Sequence, residues 1–293
     1  MTRPVVLLAV ALMGPACTIN LNTEGVTAVE THRFTVTGDA HLSLETFAGA
    51  IEVHSWDRPE IEVEVEKRAM DQSLVDEMKV VTTDEGGRVT LTVTGPSRSM
   101  GGVTVGVNIS PRARLRVAMP RRATLNVYSR DGSLAIEDID GAVTLKTDDG
   151  SIRGMRLSGD LHMRTADGSI RVEKVNGRLD LETGDGSVTL DGTLTALRAK
   201  TDDGSVRVSL DAGSRVETDW DVETGDGSVV LRLPAELDAE LDASTGDGGV
   251  RSTHPGVRLG EDGRRSNSAR VTIGQGGRTI RVRTGDGSIR IES

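Results

Sequence analysis

One phrase constrains what this chain can fold into more than any other feature. It is Thr-x-Asp-Gly-Ser followed by Ile or Val, and it returns down the C-terminal half at constant pitch. Asp131-Gly132-Ser133, Asp149-Gly150-Ser151, Asp167-Gly168-Ser169, Asp185-Gly186-Ser187 and Asp203-Gly204-Ser205 stand 18 residues apart. Looser copies follow at Asp226-Gly227-Ser228, Asp247-Gly248-Gly249 and Asp286-Gly287-Ser288. A short fixed period predicts one supersecondary unit stacked on itself. A site repeated this often is a scaffold or a repeated surface rather than a single catalytic centre.

Within one repeat, Leu179, Leu181 and Thr183 alternate with Arg178, Asp180 and Glu182, the period of a strand with one buried face. Asp185-Gly186 is a turn signal, and Val188 and Leu190 then point inward again around Thr189. Leu161 to Thr165 and Val143 to Thr147 repeat the pattern. Two architectures fit it: antiparallel hairpins turning at each Asp-Gly pair, or a parallel β-solenoid with the pair at a corner. Strands of four or five residues, aliphatic types returning at equivalent positions and a 2% aromatic content favour the solenoid. The expected fold is therefore all-β, a parallel β-solenoid (β-helix) of about 18-residue coils with a β-rich N-terminal insertion. Thr147, Thr165, Thr183 and Thr201 then form a ladder, as do Asp149, Asp167, Asp185 and Asp203. Carboxylates at strand spacing repel by about 1 kcal/mol per pair in water. Backbone N–H bonds at each turn and the flanking Arg153, Arg171, Arg207 and Arg290 are expected to offset that.

The chain opens with Arg3, a nine-residue apolar run from Val5 to Met13, and then Cys17, the sole cysteine. Such a run spans about 14 Å as a helix, too short for a bilayer, and reads as a signal peptide over 1–16. Gly14-Pro15-Ala16-Cys17 resembles a bacterial lipobox, with Cys17 the lipidated residue. A linker over 17–30 leads into a domain over 31–293. Leu42 to Val53 shares the repeat's skeleton and reads as a degenerate first coil. Residues 54–120 form an insertion or cap. Its strands are at Ile61–Val65, Val89–Val93, Val103–Val105 and Leu115–Val117, with a short helix from Asp71 to Val81. Regular repeats occupy 121–251, a Gly-, Arg- and Ser-rich surface loop 252–277, and a final coil 278–293.

These marks together resemble the bacterial "putative adhesin" domain family. They are Thr46-Phe-Ala-Gly49-Ala-Ile51, Val53-His-Ser-Trp56-Asp57, the Thr-Gly-Asp-Gly-Ser-Val repeats, and Gly274-x-Gly276-Gly277 leading to Thr284-Gly-Asp-Gly-Ser-Ile289. The resemblance covers about residues 30 to 293. It implies a β-solenoid at the cell envelope with an adhesive role, and it carries no catalytic residues.

The repeated turns are expected to be structural, through Gly132, Gly150, Gly168, Gly186, Gly204, Gly227, Gly248 and Gly287. Calcium at Asp149, Asp167, Asp185 and Asp203 is a weak candidate. The ion wants six to eight converging oxygens, and the period is 18 rather than nine. Each aspartate is expected to bond its own corner backbone instead. Glycosidase chemistry needs a particular carboxylate pair and aromatic platforms; with 45 acidic residues, pairs carry no information, and Trp56, Trp220 and Tyr128 lie far apart. His32, His41, His54, His162 and His254 lack metal-ligand spacing and are expected on the surface or in loops. Arg258, Arg264, Arg265 and Arg270 mark a solvated loop. A net charge of −10 argues against nucleic acid.

No enzyme, cofactor or metal is expected. The reading is a binding or adhesion module at the outer membrane or periplasmic face, with an envelope protein or glycan as ligand. The alternative is a structural protein polymerising end to end through the terminal coil at Ile289 and Ile291. Replacing Cys17 with Ser should move the protein from the membrane to the soluble fraction. Persistence with membranes would remove the lipid anchor's support.

Overall fold

A computed structural model of the chain describes residues 18–22, 25–97, 109–258 and 266–293. The expected signal peptide, Cys17, the strand at Val103–Val105, and Arg264 and Arg265 lie outside the described residues. What is described is all-β apart from one short helix, Gln72–Glu77. Alternation decides which side chains turn inward. In Ser158–Thr165, Leu161, Met163 and Thr165 are buried while Asp160, His162 and Arg164 are exposed.

Strands flanking an Asp-Gly pair do not pair with each other. Asp140–Thr147 ends before Asp149-Gly150 and Ile152–Met155 begins after it, and the two belong to different ladders. Pairing runs between strands one period apart and is parallel: Leu134 lies opposite Ile152, Ile152 opposite Ile170, Ile170 opposite Val188 and Val188 opposite Val206. Hairpins are thereby excluded over the regular repeats, because hairpin neighbours are antiparallel. The inward side chains of both ladders meet in one apolar core running from Val89 and Leu115 to Leu241 and Val250.

A rung is the pair of strands, one from each ladder, joined across an Asp-Gly corner or its equivalent. Through the stack the rungs are 88–94 with 112–120 (written 88–120 for short), 40–56, 123–137, 140–155, 158–172, 176–190, 196–210, 220–232, 279–292 and 239–252. Sequence order is thus broken at both ends. The first rung of the chain sits between 88–120 and 123–137, and the last sits between 220–232 and 239–252. Antiparallel strands flank the two ends. Glu60–Ala69 lies against Arg112–Pro120, Lys79–Glu85 against Arg88–Thr94, and Ser268–Ile273 against Ala239–Thr245.

Several expectations are corrected. The stretch expected as a linker is strand over Thr18–Asn22 and Gly25–Thr35. Val26 and Ala28 are buried there with Ala69, Leu74, Val75 and Met78. The helix is shorter than Asp71 to Val81. Asp71 caps it, accepting the Leu74 N–H at 3.0 Å, but Val80 to Thr83 are β-branched and pass into the strand Lys79–Glu85. The surface loop over 252–277 contains the strand Ser268–Ile273, whose alternation of Ala269, Val271 and Ile273 is short and flanked by glycines.

The terminal coil is not an end of the stack. Ile289 pairs with Val229 on one side and Val250 on the other, Ile291 is likewise enclosed, and both are fully buried. They offer no polymerisation edge. Ile289→Lys should therefore destabilise the fold by about 4 kcal/mol or more in urea denaturation, through a lost core side chain and a buried charge. A change below about 0.5 kcal/mol would mean the residue is at an exposed edge after all.

Candidate functional site

The corner that repeats in sequence is a hydrogen-bonded joint between rungs. The buried Thr147, Thr165, Thr183 and Thr201 donate their hydroxyls to the carbonyls of Gly132, Gly150, Gly168 and Gly186 in the preceding rung, at 2.7–2.9 Å. Thr224, Thr284 and Thr245 continue the series to Gly204, Gly227 and Gly287. The same hydroxyl accepts from the corner glycine of its own rung, as Thr165 does from Gly168 N–H at 3.2 Å and Thr201 from Gly204 N–H at 3.1 Å. One side chain with one donor and two acceptor lone pairs satisfies both groups.

The glycines are steric necessities. A β-carbon at Gly150, Gly168, Gly186, Gly204, Gly227, Gly248 or Gly287 would overlap the carbonyl oxygen of the corner glycine in the neighbouring rung, and one at Gly132 would overlap that of Gly49. A second glycine column, Gly141, Gly159 and Gly177, shows the same close approach at the opposite corner, with positive φ. Its 18-residue spacing is present in the sequence, but no repeated polar phrase surrounds it to mark it.

The aspartates do not behave as expected. Asp149, Asp167, Asp185 and Asp203 are exposed. Among the described residues their carboxylates make no hydrogen bond or ion pair. Their main-chain N–H groups are the tied groups, to carbonyls of the preceding rung, as Asp167 to Asp148 and Asp203 to Gly184 at 3.2 Å. The glycine N–H that an aspartate would take is already held by the threonine in at least the Gly168 and Gly204 corners. Nor do the flanking arginines reach the column. Arg153 and Arg171 pair with Glu173 at 3.5 and 3.7 Å, Arg290 pairs with Glu292 at 3.9 Å, and Arg207 has no carboxylate partner among the described residues. No three acidic, histidine or cysteine side chains converge on a point among the described residues.

One strip of surface results. On five rungs an aspartate is followed four residues later by an outward arginine: Asp149 and Arg153, Asp167 and Arg171, Asp203 and Arg207, Asp286 and Arg290, Asp247 and Arg251. Between the two rows run Ser151, Ser169, Ser187, Ser205, Ser228 and Ser288. The Ser187 and Ser205 N–H groups bond the Oγ of the serine one rung back at 3.2 and 3.3 Å. The outer face of the other ladder is arranged differently. Across it Asp180, Arg198, Asp221, Arg281, Asp242 and Arg270 alternate in sign on adjacent strands, so neighbours neutralise one another.

The remaining candidates are dispersed. Trp220 is buried and bonds the Thr195 carbonyl, whereas Trp56 bonds the Glu60 carbonyl under the Arg58 guanidinium. Tyr128 donates to Asp148 at 3.0 Å, and that bond raises its pKa above the ordinary phenol value. His254 lies in a loop and is buried there, its Nδ1 accepting from Gly256 N–H at 3.1 Å. His162 is exposed beside Asp180, and Arg270 pairs with Asp242 at 2.7 Å. Asp138, Arg156 and Lys174 hold positive φ. Two bonds of 2.7 Å from Arg156 to Asp138 keep that carboxyl below the usual carboxylate range. Among the described residues, no helix is long and apolar enough to cross a membrane.

The chain belongs to the Toastrack DUF4097 family, whose model matches residues 40–292. No curated protein matches it in sequence. Among solved structures it is similar to a "putative adhesin" from Parabacteroides merdae, at 10% identity and a TM-score of 0.49, covering 90% of this chain and 95% of that one. It is also similar to a "putative adhesin" from Bacteroides fragilis, at 12% identity and a TM-score of 0.46, covering 90% and 96%. A "putative lipid binding protein" from Parabacteroides distasonis matches at 16% identity and a TM-score of 0.44, covering 90% and 96%.

The joint can be tested one atom at a time. Thr165→Val should cost about 1–3 kcal/mol in urea denaturation by leaving the Gly150 carbonyl without its donor. Gly168→Ala should cost more than about 3 kcal/mol, because the added carbon meets backbone rather than a side chain that can move. Near-neutral behaviour of both would show the corner is not what ties the rungs.

Proposed function

We propose that this chain is a non-enzymatic binding module of the adhesion type, a parallel β-solenoid presented at the cell envelope by a lipid on Cys17. The observation that carries the reading is how the repeated polar residues are used. The threonines, glycines and serines are spent on joining rungs, so the repeat serves to extend the stack. What it leaves outward is two long, regular, charged faces. Such faces suit recognition of an extended partner, an envelope glycan or protein, through many weak contacts. The "putative adhesin" descriptions of similar structures agree with this reading but add no independent weight to it.

Incubating the purified chain with isolated bacterial envelopes and with resolved envelope glycans tests the proposal. Saturable, reversible binding is expected, with the glycan recovered at unchanged length. Shortened or modified glycan would overturn the non-enzymatic assignment, and failure to bind any envelope fraction would overturn the adhesive one.

A further inference from the structure

We infer that the Asp-Gly-Ser-x-Arg strip is a self-complementary docking surface for a second copy of this chain. This goes beyond the adhesive reading and does not depend on it. The strip carries a row of carboxylates at the corner, a row of hydroxyls beside it and a row of guanidiniums beyond, all at the rung pitch. Four residues of chain, turning at the corner, separate the carboxylate row from the guanidinium row by at most about 13 Å, with the serines between them. A two-fold axis parallel to the stack and passing over the serine row lays each copy's arginine row on the other's aspartate row. Because both rows share one pitch of about 4.8 Å, the match recurs on the five rungs that carry an arginine, and Thr189 and Val230 stand in its place on the 176–190 and 220–232 rungs. Asp203 meets the second copy's Arg207 on the same rung, and Arg207 meets its Asp203. A face-to-face two-fold running across the stack instead sets aspartate on aspartate. The charge pattern thus selects a parallel, side-by-side pair with both N-terminal ends at the same end.

Three features favour a second copy over other occupants. The carboxylates of Asp149, Asp167, Asp185 and Asp203 have no partner within the chain among the described residues, and neither does the Arg207 guanidinium. A polyanion drawn to the arginines runs alongside the aspartate row at little more than a Debye length of about 8–10 Å, in a chain of net charge −10. A cation drawn to the aspartates meets the arginine row in the same way. Only a surface with both signs in reversed order satisfies the strip, and the chain carries that surface itself. The arginine row runs from the 140–155 rung to the 239–252 rung, about 29 Å at this pitch. So narrow a strip falls below the roughly 800 Å² per partner of a standard interface, so the pair should be weak and salt-sensitive.

Sedimentation velocity on the full chain should show a reversible dimer at low ionic strength, around 20 mM salt, that dissociates by about 0.5 M. Two charge-reversed forms, Arg153→Asp/Arg171→Asp/Arg207→Asp and Asp149→Arg/Asp167→Arg/Asp203→Arg, should each be monomeric. Mixed, they should form a heterodimer, because one then carries two acidic rows and the other two basic rows. A gentler variant covers the case in which a triple substitution unfolds. In a Cys17→Ser background, Ser187→Cys sits beside the proposed axis and should cross-link to its own copy on oxidation at low salt. Thr144→Cys on the opposite face should not. A wild-type monomer at low salt, a dimer indifferent to salt, charge-reversed forms that fail to combine while remaining folded, or equal cross-linking at Thr144→Cys would each overturn the inference. Purified protein alone is used, so this outcome is independent of whether an envelope ligand is found.

Discussion

Everything in this molecule depends on a hydroxyl that faces two ways. At each Asp-Gly corner the chain turns from one ladder to the other, and the turn leaves a glycine carbonyl buried against the next rung. A buried carbonyl without a donor is costly, and the threonine of the following rung supplies one. Glycine is required because the two backbones come too close for any β-carbon. The threonine and the glycine together set the distance and register between rungs. That register places every outward residue, so the charged rows on the surface are consequences of the corner.

Much of this was legible in the sequence, and the exceptions have physical causes. The 18-residue period and the alternation around Leu161, Leu179 and Val188 located the strands and the buried faces, and the threonine column was visible as a column. The fate of the aspartates is not legible from one Asp-Gly turn alone. In isolation the carboxylate would take the local N–H groups; in the stack, Thr165 and Thr201 have already taken those of Gly168 and Gly204. The order of the rungs was beyond the sequence altogether. The 279–292 rung carries the same phrase as the others, so its periodicity fits any place in the stack, and nothing local marks it as the neighbour of 220–232.

The two outer faces show how one backbone lattice can serve opposite ends. On one, signs alternate from strand to strand, and Arg270 with Asp242 or Arg198 with Asp180 settles charge within the molecule. On the other, Arg153, Arg171 and Arg290 settle on Glu173 and Glu292, while the carboxylates of Asp149, Asp167, Asp185 and Asp203 stay unpaired among the described residues. The lattice permits both because outward positions contribute little to the core and are free to vary.

The placement of the last rung has a bearing on how such a chain is made. Residues 279–292 lie between strands synthesised earlier, and residues 40–56 lie between rungs from later in the chain. The stack therefore cannot be completed in the order in which it emerges. A nascent chain holds an open slot until residues 279–292 arrive. Only a molecule that includes them closes the slot. Chains that stop before residue 279 leave unpaired strands on both sides of the slot, edges open to pairing with other chains.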